Sequence, residues 1–229
     1  MKINVQENPN RRKCAIFLLS LLVCNIANGQ ELKKVNKSIC DDIEEQYYVL
    51  KNDRDVKNGP YRLSIKNSIY QLGFYTNNER TGIWSIYDNK HILDFKYDFD
   101  TKKILDLNKR YFMNSKDTTS RAPIYLGGDA FLLYRAMCYM KPGEELYQNI
   151  SPGNYRVVVK FEIDTIGVPT NYAVLLSCGK KTLDDEAIRC VKLASNLDFP
   201  FLPALEKGKP FKTNMIIPIN FSYREVKEN

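Results

Sequence analysis

The residues that could do chemistry are few and poorly grouped. His91 is the only histidine in 229 residues, so a Ser-His or Cys-His nucleophile has one possible base and no supporting motif. It stands beside Lys90 in a strand-like stretch and reads as a surface or packing residue. Asp184, Asp185 and Glu186 are consecutive acids at a helix start, where the helix dipole favours negative charge. They read as first-turn acids rather than as an acid/base pair or a metal site. Gly127-Gly128 precedes a helix but lacks the further glycines and the Lys-Ser/Thr of a phosphate loop. No catalytic residue, cofactor or metal site is assigned, and the chain reads as non-enzymatic.

The cysteines depend on the compartment. Arg11, Arg12 and Lys13 precede an apolar stretch from Cys14 to Ala27. A bilayer span takes ~20 residues, and this stretch is shorter. Basic flank and length fit the apolar core of an export signal, with small residues before a cleavage point between Gly29 and Gln30. Two alternatives remain open. Leu21-Leu22-Val23-Cys24 resembles a lipoprotein signal lipidated at Cys24, and residues 14–27 could be retained as an inner-membrane anchor. Cleavage at Gly29 leaves Cys40, Cys138, Cys178 and Cys190 in a compartment that permits disulfides. Their three possible pairings stay open, as does the reading as free thiols.

Charge follows the same division. The chain carries +7, of which residues 1–29 hold a surplus of three, leaving +4 over the remaining 200 residues. The excess is partly an export label and otherwise dispersed, with no basic motif, so nucleic-acid binding is excluded. With 44% hydrophobic and 27% charged residues, disordered and low-complexity classes are also excluded.

The elements fall into two halves. Residues 30–56 are polar, with an apolar-aromatic cluster from Tyr47 to Leu50. From Asn58 two segments align at a period of 23 residues: Gly59 with Gly82, Tyr61 with Trp84, Leu63 with Ile86. Ile69 with Ile92 and Phe74 with Tyr97 extend the alignment. A fixed period predicts stacked hairpins that bury a shared face. Gly73-Phe74-Tyr75 followed by Gly82-Ile83-Trp84-Ser85-Ile86-Tyr87 resembles a MORN-type repeat over roughly residues 58–106. The resemblance implies a scaffolding role rather than catalysis. Residues 30–108 are thus expected to form an all-β hairpin ribbon, and 109–122 a polar linker.

Beyond residue 123 the pattern predicts α-β-β-α-β. Asp129 is a candidate N-cap for a helix over Ala130–Met140. Val157, Val159, Phe161 and Ile163 alternate with polar neighbours, and Asn171 to Ser177 forms the return strand. Leu183, Ala187, Ile188 and Val191 have helical spacing. A last strand runs from Phe211 to Phe221 and contains Pro218, which a sheet tolerates at an edge or a bulge. The expected class is α+β, with a three-stranded antiparallel sheet in residues 123–229.

Several ordered segments carry a second resemblance: Tyr125-Leu126-Gly127-Gly128-Asp129, Val157-Val158-Val159-Lys160-Phe161-Glu162-Ile163-Asp164, Leu183-Asp184-Asp185-Glu186-Ala187-Ile188-Arg189, Phe199-Pro200, Gly208-Lys209-Pro210 and Ile217-Pro218-Ile219-Asn220-Phe221. Residues 123–223 closely resemble the C-terminal domain of TonB-type proteins. The resemblance implies a periplasmic domain whose last strand pairs with the box peptide of an outer-membrane receptor. Lys212, Thr213, Asn214, Met215, Ile216 and Ile217 are the candidate contact residues. Membrane contact would then be indirect unless the N-terminal segment is retained. TonB energy transducers need an anchor and a long Pro-rich spacer, and the mature chain has no Pro-rich run. The leading expectation is an exported periplasmic interaction protein. The alternatives are an anchored energy transducer and an envelope scaffold whose ribbon makes the contacts.

Overall fold

The computed structural model describes residues 31–114, 117–140, 150–196 and 199–224. The cleavage point at Gly29 and Gln30, the Cys24 alternative and the apolar run at 14–27 lie outside these residues. Among the described residues the fold is mixed: mostly antiparallel strands, with two α-helices.

Seven strands form an up-and-down meander in chain order: β1 (Leu32–Cys40), β2 (Ile43–Leu50), β3 (Gly59–Ile65), β4 (Ser68–Thr76), β5 (Glu79–Tyr87), β6 (Leu93–Asp98) and β7 (Lys103–Leu107). β1 and β2 fall inside the stretch expected to be all-β, but residues 30–56 show no strand pattern of their own beyond the cluster from Tyr47 to Leu50. Most of β1 is solvent-exposed, so no apolar alternation marks it. Its Lys33, Lys34 and Lys37 put charge on an outer strand, which discourages pairing with other chains.

The aligned repeat positions point inward. Tyr61, Leu63, Trp84 and Ile86 are all buried. Trp84 packs on Tyr61 (5.0 Å between ring centroids), Tyr75 (5.4 Å) and Phe99 (5.5 Å). Gly73 makes room for it, because a Cβ there would meet the indole at 2.2 Å. The correspondence fades further along, where Ile69 and Ile92 are exposed and Phe74 is exposed while Tyr97 is buried. His91 lies in the β5–β6 turn with φ 61°, not in a strand, and its ring meets Tyr70 edge-on at 5.5 Å.

Residues 109–122, expected to be a linker, are structured. A 3-10 turn at Lys109–Tyr111 leads into β8 (Phe112–Asn114) and β9 (Asp117–Arg121). These join two later strands, β14 (Ala204–Glu206) and β15 (Lys209–Phe211), in a four-stranded sheet. Arg121 Nη1 donates to Pro203 O at 2.9 Å, and the Lys207 N–H donates to Ser120 Oγ at 2.8 Å. The partners are some 80 residues away, so local pattern does not announce them.

The rest of the chain comprises β10 (Ile124–Tyr125), α1 (Asp129–Cys138), β11 (Gly153–Ile163), β12 (Pro169–Leu176), α2 (Lys181–Ser195), β13 (Phe201–Leu202) and β16 (Thr213–Tyr223), with β14 and β15 preceding β16. β11, β12 and β16 form a three-stranded antiparallel sheet with β11 in the centre. Gly128, not Asp129, occupies the N-cap of α1. At φ 86°, and with a would-be Cβ 2.6 Å from Ile86, that position needs glycine.

One continuous core joins the two halves. Trp84 meets Phe199 at 5.8 Å, and Gln71 Nε2 donates to Gly127 O at 2.7 Å. Cys40 is disulfide-bonded to Cys138, tying the end of β1 to the end of α1. Arg110 grips Asp94 with two bonds, Nε–Oδ1 at 2.8 Å and Nη2–Oδ2 at 2.6 Å. The same Nη2 reaches Asp129 Oδ2 at 3.0 Å, so one guanidinium links β6 to α1. The Tyr111 hydroxyl also donates to Asp94, which is 1% exposed. Arg110→Met would leave that carboxylate buried without its cation. The expected loss is about 2–3 kcal/mol, below the ~3–5 of a fully buried pair because Arg110 is partly hydrated. Urea unfolding of residues 30–229 measures it, and an unchanged midpoint would contradict it.

Candidate functional site

The candidate contact residues lie on or beside β16. Alternation divides them. Met215 and Ile217 turn inward, whereas Asn214 and Ile216 face solvent. Ile216 is 56% exposed, a large apolar side chain in the open. Lys212 precedes the strand, and its Nζ sits 2.8 Å from Glu162 Oε1 on β11. That ammonium, with Asn171 and Thr170 also donating, holds the Glu162 carboxyl below its ordinary range. Glu162 was not among the candidate contact residues. Its outward position in the Val157–Ile163 alternation is the signal that would have marked it.

The sheet has two outer strands with different edges. β12 pairs with β11 through register shifts between Val158 and Val159 and between Lys160 and Glu162. Such bulges twist an edge and spoil it as a template. β16 runs against β11 without a shift, from Ile163↔Thr213 to Gly153↔Tyr223. Among the described residues no strand pairs with its other side. Pro218 stands opposite Val158 in that ladder. Next to Ile216 it continues an apolar outer row with Val158 and the exposed Leu176.

Cys178 and Cys190 are free. Burial pushes the Cys190 thiol up to about 12, with the Glu186 carboxylate adding to the effect. Burial raises Cys178 too. Nucleophilic cysteines need a lowered pKa, and burial moves both thiols the other way. Among the described residues no group of His, Cys, Asp and Glu could hold a metal ion. Among the same residues no helix is long and apolar enough to cross a membrane.

A regular last strand with no described partner on its outer side can accept an extended segment of another chain. Residues 155–223 match the family model of the Gram-negative bacterial TonB protein C-terminal. The match spans under a third of the chain and is narrower than the 123–223 resemblance: it starts within β11 and leaves out β10 and α1. Domains of this family belong to the Gram-negative envelope and interact with proteins such as outer-membrane receptors. No curated protein and no solved structure matches the chain.

Proposed function

We propose that the chain is an exported, non-enzymatic protein of the Gram-negative periplasm that captures an extended segment of an outer-membrane partner along β16. The box peptide of a receptor is the expected segment. One observation carries the reading: β16 offers eleven residues in unbroken register, open on one side, while the other outer strand is bulged. An open edge presents unpaired N–H and C=O groups, and a peptide that adds a strand satisfies them.

Pro218 refines the residue list. In an antiparallel ladder, residues alternate between bonding their neighbour and facing away from it. Proline has no N–H, so it fits where the N–H would face away from β11. By the same parity Asn214 and Ile216 turn their backbone N–H groups to the open edge. Thr213, Met215 and Ile217 hold β16 to β11. Lys212, paired to Glu162, fixes the start of the strand. The meander of β1–β7 fits a MORN-like scaffold that supports this segment.

Asn214→Pro would delete an open-edge donor and no bond to β11. Capture of the natural partner from periplasmic extract is expected to fail while the melting temperature holds. Met215→Pro, which deletes a bond to β11, is expected to lower stability by roughly 1–3 kcal/mol. Undiminished capture by folded Asn214→Pro would sink the proposal. Export has its own measurement. Sequencing the mature N-terminus should yield Gln30, whereas Met1 would favour an anchored energy transducer.

A further inference from the structure

The outer face of the β11–β12–β16 sheet carries an apolar band that runs to the open edge of β16. The inner face is covered: Val157, Val159, Phe161, Ile217 and Ile219 are buried. On the opposite face the register sets side chains in rows across the three strands. One row is Leu176, Val158 and Pro218, and the next is Ala173, Lys160 and Ile216. Leu176 is 55% exposed and Ile216 56%, so much of this apolar surface meets water. The rows on either side are polar. Thr170, Glu162 and Asn214 form one, and Glu162 there accepts from Asn171 and pairs with Lys212. Arg156 and Asn220 form the other. The band is therefore two rows deep and bounded along the strand.

Strand parity couples this face to the edge. Residues that turn their N–H and C=O to one side of a strand also share one face. Asn214, Ile216, Pro218 and Asn220 therefore meet an added strand with their backbones, and their side chains are those of the outer face. At Pro218 the backbone offers a C=O but no N–H, so an added strand forgoes one ladder bond there. Side-chain contact is what remains to hold the segment at that point. An apolar side chain beside Pro218 or Ile216 makes a cross-strand pair and takes apolar surface out of water. A polar one in the same place gains neither.

We propose that β16 selects its segment by two apolar side chains spaced two residues apart, which extend the rows of Ile216 and Pro218. Ile216 and Pro218 are then specificity-determining residues, set between polar rows that fix the position of the apolar pair. The inference rests on the strand addition proposed above and adds what the captured strand must carry.

The probes are two synthetic peptides of roughly nine residues, a common strand length. One is all threonine, and the other has two valines, two residues apart, at its centre. Valine and threonine are both β-branched and close in size, so apolarity is what differs. Affinity for residues 30–229 is read by fluorescence anisotropy, and the place of binding by amide exchange at Asn214 and Ile216. The valine peptide is expected to bind about five- to tenfold more tightly. Ile216→Thr should bring the two peptides close to equal affinity. Ile83→Thr, at an exposed isoleucine of the meander, should keep the difference. Should Ile216→Thr fail to fold, Pro218→Ala supplies the missing N–H and should tighten both peptides while narrowing the preference. Equal affinity with both peptides protecting β16 would overturn this inference and leave strand addition standing. So would a valine peptide that protects neither amide while a receptor box peptide protects both. Protection by none of the three would remove strand addition itself. If residues 30–229 sediment as a dimer that Ile216→Thr dissolves, the band seats a second copy and the proposal fails.

Discussion

Trp84→Ala should destabilise the fold by about 3–5 kcal/mol, the usual range for deleting a large buried aromatic side chain. Trp84 is fully buried at 0% exposure, within ring contact of Tyr61, Tyr75, Phe99 and Phe199. Alanine would leave a void at the point where the meander meets the C-terminal segment, and Gly73 beside it has no side chain to fill the space. Trp84→Phe should cost much less. The indole Nε1 has no hydrogen-bond partner among the described residues, so phenylalanine loses volume but no bond. The readout is urea unfolding followed both by fluorescence and by amide signals from β11 and β16. Because the core is continuous, both probes should shift together. If β11 and β16 unfold at the parental midpoint while the meander melts early, the halves are independent and the common core is refuted.

Removing the disulfide should have a comparable effect. Cys40 and Cys138 are 98 residues apart in sequence with Cα atoms 6.0 Å apart, inside the ordinary range for a bridge. Closing a loop of that length restricts the unfolded chain by about 4–5 kcal/mol in the chain-entropy account, and measured bridges deliver about 2–4. Cys40→Ser/Cys138→Ser is expected to lose about 3–4 kcal/mol. Reductant should destabilise the parent by the same amount and leave the double variant unmoved. Thiol titration of denatured, unreduced residues 30–229 should find two groups, those of Cys178 and Cys190. Four would show that the bridge does not form.

The elements that local periodicity governs were legible in the sequence. Val157, Val159, Phe161 and Ile163 alternate and are all fully buried, and Leu183, Ala187 and Val191 at helical spacing are equally so. The 23-residue period located the buried Tyr61 and Trp84. Elements governed by distant partners were not legible. β1 is an exposed, lysine-rich strand with no apolar face to betray it. β8 and β9 look like a polar linker because their neighbours β14 and β15 come about 80 residues later. The same reason hid the joining of the halves: no local signal connects Arg110 to both Asp94 and Asp129, or Cys40 to Cys138. At the candidate site, alternation and Pro218 marked an outer strand. What sets β16 apart from β12 is the pair of register shifts in β12, and those exist only in the paired sheet.

Amide hydrogen exchange along β16 tests the central claim most directly. Residues 30–229 are followed with and without a synthetic box peptide of an outer-membrane receptor, the segment the proposal expects β16 to bind. The N–H groups of Asn214 and Ile216 should exchange freely alone and become strongly protected with peptide. Those of Met215 and Ile217, already bonded to β11, should change little. A peptide that binds while Asn214 and Ile216 keep their free exchange rates would contradict strand addition on β16.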